Sequence, residues 1–135
     1  MIQQPHRALT IKPADMVVFT AMSKKYFYMR FLVTKFVLDQ GVVPINPFTS
    51  FDYFLLDAVE RDTVRRANNT LVARADELWV FGDIADGVRA EIMQAWQQQK
   101  TVRFFAFRDD KHIYEVTIDD LVYEDGVEPL IHIGE

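Results

Sequence analysis

Cysteine is absent from the 135 residues, which excludes disulfides, thiol nucleophiles and cysteine-ligated zinc or iron–sulfur centres. Glycine is scarce, at five residues. After the first apolar run the chain reads Thr20–Ala21–Met22–Ser23–Lys24, so the glycine-rich dinucleotide fingerprint and the Walker lysine loop are both missing. The three histidines, His6, His112 and His132, form no metal-ligand spacing. No metal and no cofactor is therefore expected. The greasiest stretch, Tyr26 to Leu38, is short and carries Arg30 and Lys35, so it does not read as a membrane span. The opening Met1–Arg7 lacks the pattern of a secretory leader. A soluble cytoplasmic protein is the expectation. A balance of 15 basic against 20 acidic residues, net −5, argues against a broad grip on a nucleic acid polymer.

Half of the residues are hydrophobic, enough for the core of one domain covering the whole chain, 1–135. Met16–Ala21 is apolar without alternation, as in a strand covered on both faces. A helical pattern follows from about Lys24 to Gln40, capped by Ser23 and stopped at Gly41, with Phe27, Phe31 and Leu38 on its apolar stripe. Val42–Pro47 reads as a short strand, placed at an edge by Pro44. Asp52–Leu56 fits a short helix or a loop. Asp57–Ala75 is helical, weakened by Asn68–Asn69–Thr70. Glu77–Phe81 is the third strand, Gly87–Gln99 a helix with Val88, Ile92, Ala95 and Trp96 inward, and Thr101–Phe107 the fourth strand. Three βα units in succession predict a small Rossmann-like, flavodoxin-like α/β fold: a parallel sheet flanked by helices. Beyond it, His112–Ile118 and Leu130–Ile133 would extend the sheet as edge strands, with a turn at Asp119–Leu121.

Ligands of open parallel sheets bind beyond the carboxyl ends of the strands. Three segments arrive there: Ala21–Lys24, Asn46–Thr49 and Gly82–Gly87. Glu91 follows Gly87 by about one helical turn, so it can point back toward the crevice. Each of these has a plainer role available. Asp83 and Asp86 suit turn and cap positions, and Glu91 suits a solvated helix face. The dense aromatics Phe48, Phe51, Tyr53 and Phe54 suit a core or a subunit contact. Trp79 belongs in the core, and His112 and His132 on the surface. Lys24–Lys25 and Arg65–Arg66 fit a phosphate or solvent equally well.

The small apolar first strand, the turn from Gly41 to Pro44, and Asp76–Glu77–Leu78–Trp79–Val80–Phe81–Gly82 recur in a known order. With Asp86–Gly87–Val88–Arg89–Ala90–Glu91–Ile92 and Ala95 after them, residues 15 to 106 resemble the nucleoside 2-deoxyribosyltransferase-like superfamily, closest to its small bacterial and phage branch. The resemblance implies hydrolase or transferase chemistry at the N-glycosidic bond of a nucleoside or nucleotide. Glu91 stands at the position of the family's nucleophile, which attacks the anomeric carbon to form a glycosyl ester. Asp83 and Asp86 are the local candidates for assisting the leaving base. Thr20, Ala21, Met22, Asn46, Phe48, Gly87 and Arg89 would line the substrate site. Members commonly assemble so that neighbours complete a site, which implies a homodimer or larger homo-oligomer.

Three positions depart from the family pattern. The nucleotide hydrolases carry Ser-x-Gly-x-Gly-x-Glu, where this chain has Ala85–Asp86–Gly87–Val88–Arg89–Ala90–Glu91. A carboxylate at Asp86 repels phosphate and Arg89 attracts it, so a phosphate requirement is left open. Transferases carry an acidic residue where Ala85 stands, and some carry an aspartate that falls near Ala67, beside Asn68. Two other classes therefore stay beside the enzyme: a nucleoside- or nucleotide-binding module without turnover, and an interaction protein using Phe48–Phe54 as an oligomer surface.

Overall fold

The structure, a computed structural model, describes residues 4–51, 58–109 and 111–130. Five strands form one sheet: β1 Val17–Met22, β2 Val43–Ile45, β3 Glu77–Phe81, β4 Thr101–Arg108 and β5 His112–Val116. Their spatial order is β2-β1-β3-β4-β5. The first four strands are parallel, and β5 returns antiparallel along β4. The fold is thus α/β and Rossmann-like, and the tail adds one of the two expected edge strands, which runs antiparallel and makes the expected parallel sheet a mixed one. Leu130 is in no strand, and the rest of the second expected edge strand, with His132, lies outside the described residues.

Because both faces of the sheet are covered, its strands are apolar at successive positions rather than alternate ones. On one face, Phe19, Ala21, Leu78, Val80 and Phe104 pack under helices α3 (Arg61–Arg74) and α4 (Asp86–Gln97) through Val72, Ala75, Val88, Ile92 and Ala95. On the other, Val18, Trp79, Phe81 and Phe105 pack under α1 (Arg30–Asp39) through Val33 and Val37. Pro44 sits in the edge strand β2, where its missing N–H leaves no gap in an interior ladder.

Two expectations for the first helix need correction. Lys24–Met29 is a 3-10 helix capped by the Ser23 hydroxyl, and α-geometry begins only at Arg30. The changed winding rotates the stripe, so Phe31 and Leu38 face solvent, 84% and 55% exposed, while Met29, Val33 and Val37 are buried. The third helix is also shorter than expected, starting at Arg61. The segment 52–57, with Tyr53, Phe54 and the uncertain stretch Asp52–Leu56, lies outside the described residues. A short helix α2, Pro47–Ser50, follows β2.

Residues 118–130 strap the loop that precedes α4. Ile84 donates its N–H to the Val122 carbonyl and accepts from Glu124 N–H, at 2.8 and 3.0 Å. Leu121, Tyr123, Val127 and Leu130 pack on the core beneath. The tail therefore fixes the β3–α4 loop, a role that its sequence alone did not suggest.

Candidate functional site

The sheet order reverses between β1 and β3, and the loops leaving those strands diverge there. An ion pair spans them: Lys25 Nζ lies 2.6 Å from Asp83 Oδ2 and 3.8 Å from Glu124 Oε2. The Asp83 N–H also donates to the Tyr26 hydroxyl at 3.0 Å. Asp83 is therefore a crosslink between the two loops and not the cap of α4. The N-cap of that helix is Ala85, whose side chain offers no acceptor, and Asp86 is exposed in the first turn. There its charge complements the positive end of the helix dipole.

Glu91 has a different environment. Val88, Ile92 and Ala95 turn into the core, which leaves Glu91 and Gln94 on the flank of α4 that meets α3. Asn68 Nδ2 donates to Glu91 Oε2 at 2.6 Å, and Gln94 Nε2 donates to the Asn69 carbonyl at 3.0 Å. The α3 end of this pairing is anchored by Lys100, whose Nζ donates to the carbonyls of Val72, Ala73 and Ala75 at 2.6 to 2.7 Å.

As a residue Glu91 is half-buried, yet protein atoms crowd around its carboxyl group. That loss of hydration pushes its pKa up to about 7, while the Asn68 hydrogen bond pulls it down. Crowding at the acid group, rather than the accessibility of the whole residue, sets the charge state. Among the described residues no cation pairs with Glu91, and its proton comes and goes near neutrality. Such a group can serve as a nucleophile when ionised and as an acid when protonated.

Asn68, which the sequence offers only as the neighbour of Ala67 and not as an obvious replacement for the family's aspartate, is the residue that holds Glu91. Asn68–Asn69–Thr70 disfavour a helix interior, and the structure gives each a task. Asn68 serves Glu91, the Asn69 carbonyl receives Gln94, and the Thr70 hydroxyl donates back to the Arg66 carbonyl at 2.9 Å.

The family model for a domain of unknown function, DUF7768, matches residues 19–105, well over half of the chain. The chain belongs to the DUF7768 family. No curated protein gives a significant match. The DUF7768 match runs from Phe19 in β1 to Phe105 in β4. It includes Asn68, Asp83, Asp86 and Glu91, and it leaves β5 and the strap outside.

Within the DUF7768 region the other expected site residues, Gly87 excepted, are buried or engaged within the protein. Thr20 is fully buried, and its hydroxyl donates to the Ile45 carbonyl at 3.2 Å. Ala21 and Met22 are buried beside it. Asn46, 3% exposed, accepts from Phe48 N–H at 2.9 Å as the cap of α2, and its amide points at Met22 Sδ, 3.6 Å away. Phe48 is half-buried and packs edge-to-face on Phe27. Gly87 is exposed, and a Cβ there would meet nothing. Arg89 Nε donates to the Glu128 carbonyl at 2.8 Å, so the strap holds it. Among the described residues no hydrogen bond joins Glu91 to Asp83 or Asp86, and no group of three acidic or histidine side chains could hold a metal ion. No helix among them is long and apolar enough to cross a membrane.

Proposed function

We propose that this protein cleaves or exchanges the N-glycosidic bond of a nucleoside-like substrate, with Glu91 as the nucleophile. The observation that carries this reading is the carboxyl of Glu91, crowded between α3 and α4 and held at 2.6 Å by Asn68. A poorly hydrated carboxylate aimed by one neutral donor is suited to attack at carbon. In the first step a Glu91 oxygen bonds to C1′, the C1′–N bond breaks, and its electron pair leaves on the base, which takes a proton from solvent. In the second step water or another base attacks C1′. The ester C–O bond breaks, Glu91 regains its charge, and the attacking group loses a proton to solvent. Two displacements retain the configuration at C1′. The family resemblance adds the substrate class and a homo-oligomeric assembly that completes the site.

Chromatography of a nucleoside and monophosphate panel tests the reading. Free base is expected from the parent chain, and Glu91→Ala is expected to lower its rate on the order of 10³-fold or more. Adding a second base separates exchange from hydrolysis. A folded chain silent across the panel, or a Glu91→Ala variant with the parent's rate, would overturn it.

One observation favours ligand binding without turnover as a second reading. A cavity at the carboxyl ends of β3 and β4 does not have Glu91 among its walls, so a ligand can be held there away from the proposed nucleophile. Nucleoside binding with no base release would select it.

A further inference from the structure

A cavity of about 590 Å³ opens at the carboxyl ends of β3 and β4, and Glu91 is not among its walls. Tyr26, Phe107 and Tyr114 supply aromatic surface, and Asp83, Asp109 and Asp120 bring carboxylates from three separate segments. The described wall contains no lysine, arginine or histidine. We propose that this cavity binds a small aromatic cation, its charge among the carboxylates and its ring against the aromatic walls.

The chemistry of the wall selects that class. An anion would meet the carboxylates of Asp109 and Asp120, which no lysine or arginine among the described residues neutralises. A neutral apolar guest would strip water from them and return no hydrogen bond. A bare metal ion is disfavoured, because the described residues contain no set of three side chains placed to ligate one. A ring bearing an amidinium or ammonium group satisfies both kinds of wall. Aromatic faces attract cations, and two rings of this cavity already do so at its rim. Lys25 Nζ is 5.3 Å from the Tyr26 centroid, and the Arg108 guanidinium is 5.2 Å from that of Tyr114.

The carboxylates differ in what they have left to offer. Asp83 is taken by Lys25. Asp109 accepts from Lys111 N–H at 2.8 Å and faces His112 Nδ1 at 3.1 Å, and Asp120 Oδ2 accepts from the Thr117 N–H and hydroxyl. Neither is paired with a lysine or arginine among the described residues. Gly82 keeps the tyrosine wall in place. At its φ of +82° a Cβ would come within 3 Å of the Tyr26 ring and meet Phe107 at 3.0 Å. The volume lies within the range of about 300–1,000 Å³ usual for small-molecule sites.

Benzamidine is the probe, titrated calorimetrically and by amide NMR beside the neutral benzamide and the anionic benzoate. Benzamidine is expected to bind about ten-fold tighter than benzamide, with no binding of benzoate and with shifts centred on Tyr26, Phe107 and Tyr114. Asp109→Asn should weaken benzamidine at least about three-fold and leave benzamide unchanged. Asp109 has a φ of 55°, a conformation that asparagine tolerates, so the backbone is preserved. Tyr114→Leu should weaken both probes. Benzamidine binding no tighter than benzamide, shifts placed elsewhere, or an Asp109→Asn variant of unchanged affinity would each overturn the proposal.

Discussion

Glu91→Gln is expected to be more stable than the parent chain at pH 8, by about 2–3 kcal/mol, and no more stable near pH 4.5. The carboxyl group has its pKa raised from 4.5 to about 7 in the folded protein, chiefly by burial. Between those values the folded chain keeps a proton that the unfolded chain releases. Stability contributed by this group is therefore present below the unfolded value and lost as pH rises through about 7. The shift corresponds to about 3 kcal/mol, reduced somewhat because Glu91 retains some contact with water. Glutamine keeps the shape and carries no charge, so it avoids the cost of desolvation. Urea unfolding of both proteins at the two pH values reads the difference directly, and the other titrating groups cancel in it. Equal gaps at both pH values would show that the carboxylate is already solvated. A variant gaining stability while losing base release is the pattern of a group kept for chemistry against the interest of folding.

Substitution of Asn68 should move the pH dependence of base release in a fixed order. With Glu91 as the proposed nucleophile acting in its ionised form, the parent's rate should climb with pH through a midpoint near 7. The Asn68 hydrogen bond favours the ionised form. Removing it in Asn68→Ala lets burial act unopposed, and the midpoint rises. Asn68→Asp adds a second carboxylate at hydrogen-bond distance, so two like charges compete for one proton and the midpoint rises further, by about 1 unit or more. At pH 7 the rates should fall in the order parent, Asn68→Ala, Asn68→Asp, and recover toward pH 9. Carbon-detected NMR titration of Glu91 in the three proteins should give the same order without any substrate. A purely structural Asn68 would lower the rates without moving the midpoints.

Much of the fold was legible because each parallel strand announces itself as an apolar run between a helix and a loop. Glu77–Phe81 was read to the residue, and β4 to within one. Helix α1 was misread in its apolar stripe because Phe31 and Leu38 fit a regular α period from Lys24. Two turns of 3-10 winding before Arg30 shift the phase and put Val33 and Val37 inward instead. The strap was illegible because a short bridge such as that between Ile84 and Tyr123 leaves no periodic trace.

Of the Glu91–Asn68 pair, only Glu91 was singled out from the sequence. Glu91 stood out by its place in α4. Its partner did not, because a contact between helices 23 residues apart is set by how α3 and α4 pack. Asp83 looked like a helix cap from its loop, whereas its Lys25 partner comes from the far side of the switch point, 58 positions away. Local sequence names the residue types that can do chemistry. Tertiary packing decides which of them meet.

The most direct measurement is intact-protein and peptide mass spectrometry after acid quench during turnover of a nucleoside that releases its base. The account predicts a mass gain of one pentosyl group on the peptide bearing Glu91, absent from Glu91→Gln. Base release that leaves Glu91 unmodified while another side chain carries the sugar, or with no sugar on the protein at any quench time, would contradict it.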